Sequence, residues 1–574
     1  MNYKIIIIII SILISSAITG EEKSNSKCDS PDTLTPSSAT LFLKFPKIAK
    51  VIDFLNSKKE YYGLGNSIFK YDKWIKQIKD KTNIDVLNAK SLKEAGINVN
   101  NSLYLTSIDN EKKIPEAVLF IPITDKKNFP LGFVKFLNKL SDKKEIPDPN
   151  PAISPYKGIK VFQIMNDTFF SVIDNYFILT SSGNILKQII DLKINGCEAS
   201  LSMDPLYNDY KNKSKNNSES NIFTVYIKKE FVERSFDAIR ERHVRKEAAK
   251  LNKIKTEIAE SKKNKDDSII ANEPPQEQES PQKTKLDFIK YLSFRFDGTT
   301  NEISLTGALS VNKDDQTGDL LTRTITTGLF EKALFAENPT GYLFLSIDIK
   351  SIFKHLEDLS KKDADTKKAY SKWMISPEGK NILEDIVLPC DKSFINIFSK
   401  KPDKIGEMDN FVVFIPLEGC GKIEATMKKI KKELNNKYTA NGEFGEEKIN
   451  GNNSFWFKND PKNKIYILEH KGNVYAGNNT DFIKTVLNAK DKKSLDIQKE
   501  FIKKIDRDTF LVSFTQFSDD SFLKAILMML TYNQNPGLYN FINKIDNLNL
   551  TGKKVNNDLI FNYSIKILPE KNNK

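Results

Sequence analysis

One long stretch of this sequence occurs twice. Most of residues 41 to 311 recurs, in the same order, between residues 343 and 567. Leu41-Phe42-Leu43, followed by a helix pattern at Ile48, Val51, Ile52 and Leu55, returns as Leu343-Phe344-Leu345 followed by Ile349, Ile352, Phe353 and Leu356. Phe120-Ile121-Pro122-Ile123 returns as Phe414-Ile415-Pro416-Leu417, and at the same spacing Phe133, Phe136 and Leu140 become Met427, Ile430 and Leu434. A large unit repeated twice implies two similar folded modules, whereas a period of about 20 to 50 residues would imply a solenoid. The expected fold class is therefore α+β: two tandem, homologous modules over 36–318 and 335–570, with mainly antiparallel sheets and packed helices.

Within each copy a strand and helices lead into a hairpin and a further helix. A strand trio follows, over 159–164, 169–173 and 176–180 in the first copy and over 454–457, 465–469 and 474–477 in the second. Asp174-Asn175 and Lys471-Gly472-Asn473 supply the tight turns. The polar stretches Thr180-Ser181-Ser182-Gly183-Asn184 and Gly477-Asn478-Asn479-Thr480-Asp481 then carry N-cap groups for a helix, and a helix N-terminus of this kind also suits an anion. Each copy closes with a strand, a helix and a last hairpin.

The first copy holds extra material over 244–286, read as an extended basic helix and a flexible linker. The helix begins near Lys229, and Val244, Ala248, Leu251, Ile254 and Ile258 form a narrow apolar stripe along it. A polar, Pro-containing segment follows. Only seven of the 88 cationic residues in the chain are arginines, and four of those, Arg234, Arg240, Arg242 and Arg245, lie in this helix. A guanidinium offers a planar fork of donors that an ammonium does not, so this choice points to carboxylate or phosphate pairing. The four are the candidates for anion or partner contact. The alternative is pairing along the helix with Glu230, Glu233, Asp237, Glu241 and Glu247. A narrow stripe needs cover from its own domain or another chain; packing on its own domain is the ordinary outcome, and the functional alternative is a projecting basic arm that contacts an envelope protein or an anionic surface.

The N-terminus sets the expected location. Lys4, an apolar run from Ile5 to Ile14 and the small-residue exit Ser15-Ser16-Ala17-Ile18-Thr19-Gly20 read as a signal peptide over 1–20, cut after Ala17 or Gly20. Residues 21–35 read as an N-terminal linker. The alternative is an uncleaved segment that tethers the protein to the inner membrane; no other stretch has the roughly 20 apolar residues of a span. The expected location is the periplasm or the cell surface. A formal charge of +13, spread mostly over lysines, adds a weak, screened attraction to anionic polymers and lipid head groups.

Catalytic patterns are missing from the sequence. His243, His355 and His470 are scattered, with no zinc or calcium spacing, no phosphate loop and no dinucleotide fingerprint. The sequence thus indicates no catalytic residue, no metal and no cofactor. Aromatic residues are not interleaved with basic ones as in base-reading platforms, so sequence-specific nucleic-acid binding is not expected. Carboxylates are plentiful, which leaves a hydrolase with a carboxylate-based site as an alternative.

The segment Asn83-Ile84-Asp85-Val86-Leu87 to Ser91-Leu92-Lys93-Glu94-Ala95-Gly96-Ile97, leading into a strand at 103–106, resembles part of a broad group of exported bacterial proteins of unknown function. The opening Pro31-Asp32-Thr33-Leu34 to Ala39-Thr40-Leu41-Phe42-Leu43 is similar to theirs. The resemblance implies an envelope protein and carries over no functional residue. The second copy departs from it, with Ser376-Pro377-Glu378-Gly379-Lys380 where the Asp85 region would recur. The functional expectation is an exported, non-catalytic binding or scaffolding protein, with the hydrolase and a membrane-tethered structural protein as alternatives.

Four cysteines in an exported chain read as a disulfide framework. Strand-like runs at 394–398 and 411–417, joined by Lys400-Lys401-Pro402-Asp403-Lys404, form a hairpin in which Asn396 faces Phe414. In that register Cys390 and Cys420 fall opposite each other at the open end, and Cys28 and Cys197 pair only by elimination. Non-reducing peptide mapping of the oxidised protein should recover a Cys390–Cys420 disulfide. Recovery of both thiols free would rule it out.

Overall fold

The computed structural model describes residues 28–57, 72–110, 114–140, 155–164, 168–214, 220–262, 285–330, 333, 339–361, 371, 393–400, 410–416, 424–429, 432, 443–460, 463–488, 505–516, 541–542 and 544–568. The expected signal peptide, the segment after residue 262 read as a linker, and both Cys390 and Cys420 lie outside these residues.

The fold is α+β. In chain order its strands are β1 (Ala39–Phe45), β2 (Leu103–Asp109), β3 (Pro115–Pro122), β4 (Val161–Ile164), β5 (Thr168–Ile173), β6 (Tyr176–Thr180), β7 (Asn221–Lys228), β8 (Ile289–Gly298) and β9 (Glu302–Val311). They continue as β10 (Gly341–Ile347), β11 (Ser393–Lys400), β12 (Asn410–Pro416), β13 (Glu443–Ile449), β14 (Asn452–Asp460), β15 (Asn463–His470), β16 (Asn473–Gly477), β17 (Thr509–Gln516), β18 (Ile545–Val555) and β19 (Asp558–Ile567). The helices used below are α1 (Pro31–Leu34), α2 (Ile48–Ser57), α3 (Asp72–Thr82), α4 (Ala89–Glu94), α5 (Phe129–Leu140), α6 (Gly183–Asn195), α7 (Pro205–Lys213), α8 (Lys229–Lys262), α9 (Gln316–Thr324), α10 (Ile349–Ser360) and α11 (Thr480–Leu487).

All the strand pairings are antiparallel and run as one path: β4-β5-β6-β3-β2-β1-β7-β8-β9, then β19-β18-β17-β10-β11-β12-β16-β15-β14-β13. Among the described residues the sheet does not close, because closure needs a ladder between β4 and β13 and each of these has a single partner there.

Apart from β13, which has no counterpart among the described strands of the first half, the two series of strands pair in the same order. One row across the first half reads Thr180, Val118, Thr106, Phe42, Tyr226, Ser293, Ala308. The corresponding row of the second half reads Gly477, Val412, Phe398, Tyr342, Phe514, Asn549, Ser564. The expected hairpin register, Asn396 opposite Phe414, is present. Expected matches are displaced at two strands: the row sets Tyr226 against Phe514, where the expected match of 223–227 with 510–514 set Ile227, and it sets Phe42 against Tyr342, two residues short of Phe344. A strand repeats its facing every second residue, so a slip of two leaves the apolar pattern intact and is invisible to sequence periodicity.

The first half of the sheet is covered on both faces. Leu119 and Ile121 of β3 join Phe45, Leu103 and Phe177 in a core capped by Ile48, Val51 and Ile52 of α2, Ile75 and Ile78 of α3, Leu92 of α4 and Phe133 of α5. The alternate residues Val118 and Phe120 pack with Phe42, Tyr104 and Ile178 beneath Leu34 of α1, Ile185, Leu186 and Ile189 of α6, and Tyr207 of α7. Two-sided burial explains why β3 reads as an unbroken apolar run rather than an alternating one. In the second half, Phe482, Ile483 and Val486 of α11 cover Tyr342, Phe414 and Tyr475 in the same way. The caps of α6 and α11 are the expected ones, with Ser182 accepting from Ile185 N–H and Asn479 from Phe482 N–H.

β9 and β19 join the halves. Their ladder sets Thr306 opposite Asn562, 256 residues later, with Ile303 opposite Ile565 and Leu309 opposite Leu559. The β8–β9 pair Phe296/Leu305 and the β18–β19 pair Gly552/Phe561 are separated by the same interval. Thr306 and Asn562 therefore occupy equivalent positions, and the ladder has a local twofold relation about them. Ile303, Ile545 and Ile567 pack together beside it, with Phe54 and Phe296 against them.

Residues 28–35, placed by composition in an N-terminal linker, are packed. α1 has Pro at its start and a capping box from Ser30 and Thr33, and Leu34 and Thr35 are fully buried. Two short apolar positions in a polar stretch gave no periodicity from which to read this.

Candidate functional site

The extended helix expected from the extra segment is α8. It has 34 residues, about 51 Å at 1.5 Å per residue. Its first turns hold it to the sheet. Lys229 pairs with Asp287 at 2.9 Å, and the Glu233 carboxylate accepts from Leu286 N–H at 2.7 Å. Arg234 forms a close ion pair with Asp109 of β2 and donates to Thr40 Oγ1 at 3.0 Å. Beyond these anchors the helix turns apolar side chains outward: Phe236 is 54% exposed, Ile239 64% and Val244 38%.

The four arginines do not form one cluster. Arg234 is committed to Asp109. Arg240 pairs with Asp237 at 3.1 Å and Arg245 with Glu241 at 3.4 Å, both along the helix. Arg242 is exposed, and Arg245 remains 82% exposed in spite of its partner. The helix therefore offers a surface with an apolar side at Phe236 and Ile239 and a basic side at Arg242 and Arg245. The candidate anion contacts narrow to those two, because Arg234 is taken by Asp109 of β2 and Arg240 by Asp237, whereas Arg242 is exposed and Arg245 stays largely exposed beside Glu241.

A second group of titratable residues lies under α7. Its rings are Tyr207, Tyr210, Tyr226 and Tyr291, packed at centroid distances of 5.2 to 6.5 Å. Lys228 meets Asp204 at 2.5 Å, and Lys213 meets Asp209 at 2.6 Å and Asp558 of β19 at 2.5 Å. The Tyr291 hydroxyl donates to Asp209 Oδ2 at 2.7 Å. Burial and the Asp209 hydrogen bond push Tyr291 well up, and burial does the same to Tyr207 and Tyr226, so these phenols stay protonated at neutral pH. Burial pulls Lys213 down, but the hydrogen bonds to Asp209 and Asp558 outweigh it and raise its pKa. Neither change prepares a base or nucleophile for neutral pH. The group acts as a staple between α7 in the first half and Asp558 in the second. Among the described residues no three His, Cys, Asp or Glu side chains come together as a metal site.

This tyrosine layer was missed by sequence reasoning. The available signal was Tyr207 and Tyr210 three apart on a helix that starts at Asp204-Pro205, where Asp204 accepts from Leu206 and Tyr207 N–H. That spacing marks one buried face.

Asp32 gives the layer a pH response. Burial raises its pKa, but the Lys211 ion pair at 2.8 Å and a hydrogen bond from Ser30 outweigh it, so the carboxyl lies below its ordinary value. A depressed folded pKa contributes stability above the ordinary carboxylate range, and that stability is lost as pH falls through the folded pKa. Lys211 is about half exposed, so Lys211→Met should cost only about 1 kcal/mol at pH 7. Urea unfolding at pH 7 and in acid should show this gap closing as Asp32 protonates; a gap independent of pH would contradict the assignment.

No family model and no curated protein matches the chain. Three solved structures of TP0453 match it in part. Crystal form IV has 14% identity over 49% of this chain and 80% of its own, with a TM-score of 0.24. Forms I and III each have 12% identity, over 52% and 54% of this chain and 85% and 90% of theirs, with TM-scores of 0.24 and 0.23.

Proposed function

We propose that the chain is a non-catalytic binding or scaffolding protein of the bacterial envelope, which holds a protein partner through α8. The observation that carries the reading is the projecting helix itself. Its first turns are fixed by Lys229, Glu233 and Arg234, while Phe236, Ile239 and Val244 stand exposed beside Arg242 and Arg245. Exposed large apolar residues beside guanidinium groups are the composition of a contact surface centre. The complementary partner has an apolar groove bordered by carboxylates.

The rest of the molecule is consistent with a scaffold for that helix. The matching rows of the two sheet halves support one α+β unit used twice, with extra sequence over 244–286 in the first. The apolar run at 5–14 supports export, to the periplasm or the cell surface. Anchoring at the helix base by a guanidinium–carboxylate pair gives the arm a fixed direction of departure from the sheet.

The test is crosslinking mass spectrometry on the full chain, expressed with its own N-terminus in a bacterial host and fractionated. Reproducible crosslinks from Lys246 and Lys250 to one other envelope protein are expected. Phe236→Ser with Ile239→Ser should weaken that capture by about tenfold or more. Crosslinks confined to the chain itself would refute the binding role. Sedimentation with anionic vesicles, unaffected by the two apolar substitutions, would assign the helix to a lipid surface instead.

A further inference from the structure

Two thiols meet where the described chain begins. Cys28 is buried, and its side chain is hydrogen-bonded to that of Cys197. Cys197 follows the end of α6, where Gly196 takes a φ of 97° and turns the chain back toward α1. The two sulfurs are not joined as a disulfide in this structure.

The two backbones are pinned on either side of the pair. Lys193 of α6 bonds Asp29 at 2.5 Å and Asp174 at 2.7 Å, and it approaches the Cys28 carbonyl at 3.5 Å. Ser200 Oγ donates to the Cys197 carbonyl at 2.6 Å. Ser37 N–H donates to the Ala199 carbonyl at 2.9 Å, and Leu201 N–H to the Thr35 carbonyl at 2.7 Å. Pro36 and Ser200 form an isolated bridge between the same two segments. The contact between the cysteines is thus fixed by the fold around it, and it does not depend on the freedom of a terminal residue.

We propose that Cys28 and Cys197 form a disulfide in the oxidised protein, clipping the entry of the chain onto the α6–α7 face. A low-molecular-weight or protein disulfide is the oxidant. Cys197, the less buried of the two, attacks as its thiolate, a mixed disulfide forms and one thiol leaves. The Cys28 sulfur then displaces the second thiol. Two electrons and two protons pass to the oxidant, whose two sulfurs leave as thiols, giving one cystine and two reduced thiols. Burial and the bond to Cys197 push the Cys28 thiol up, which suits the resolving role better than the attacking one. The link closes a loop that contains β1 to β6, so it constrains the unfolded chain over most of the first half. It stands independently of the role proposed for α8.

The test uses the full chain carrying Cys390→Ser and Cys420→Ser, equilibrated with oxidised glutathione. Non-reducing peptide mapping should find residues 28 and 197 joined, with loss of two alkylatable thiols. The oxidised form should unfold at a Tm at least about 2 °C above the reduced form. Adding Cys197→Ser should remove both the linked peptide and the shift. Two thiols that stay alkylatable in excess oxidant, or glutathione adducts without a 28–197 link, would overturn the proposal. The same mapping on the unsubstituted chain guards against a folding defect of the variant: a link from Cys28 to Cys390 or Cys420 there would also overturn it.

Discussion

The β9–β19 ladder decides what kind of object this chain is. Each strand has 10 residues, with the apolar positions Ile303, Leu309, Leu559 and Ile565 in register across the pair. Left unpaired, either would be a long, apolar sheet edge, a template for pairing with other chains. Joined, they satisfy each other's backbone groups and turn two sheets into one. The edges that remain are better protected. β4 is only four residues long, and β13 reads Glu443-Phe444-Gly445-Glu446-Glu447-Lys448-Ile449, with charge along most of its length. Short edges and charged edges are two ordinary ways of blocking further strand addition.

Side chains reinforce the same seam from both faces. Lys213 of α7 reaches Asp558, Lys554 donates to the Ile325 carbonyl at 3.0 Å, and Phe54 and Phe296 lie against Ile303 and Ile567. The local twofold about Thr306 and Asn562 places equivalent strands at the junction. α8 leaves the first half, where its base is fixed by Asp109 and Thr40; the matching stretch of the second half, 517–540, lies outside the described residues.

Much of the frame was legible in the sequence because it is written in local chemistry. The α+β class, the hairpin register at Asn396 and Phe414, and the caps at Ser182 and Asn479 all follow from strand alternation and cap residues. The two-residue slip at β1 and β10 was not legible, since both registers present the same face. The hairpin of β13 and β14 was missed, although Asn450 and Gly451, at φ of 50° and 79°, are the Asn-Gly turn that joins such strands. β13 is too polar to read as a strand, and the turn alone was the signal. At the candidate site, the sequence showed the basic helix and named its four arginines. It did not separate Arg234, which is anchored to a strand distant in sequence, from Arg242 and Arg245, which face solvent. The docking of residues 28–35 rests on contacts across more than 150 residues, as from Asp29 to Lys193, and the tyrosine layer on ring contacts as far apart as Tyr210 and Tyr291, to which local periodicity is blind.

The seam is tested most directly by cysteine pairs across it. Thr306→Cys with Asn562→Cys places two thiols on directly opposed residues, roughly 4.5–5.5 Å apart at Cα, and mild oxidation should give a 306–562 disulfide recoverable by peptide mapping. Thr306→Cys with Phe561→Cys shifts one residue and turns the second thiol to the other face, so that pair should stay reduced. Rapid closure of the 306–562 pair alone is the expected result. Equal closure of both pairs, or of neither, would contradict a sheet continuous through β9 and β19.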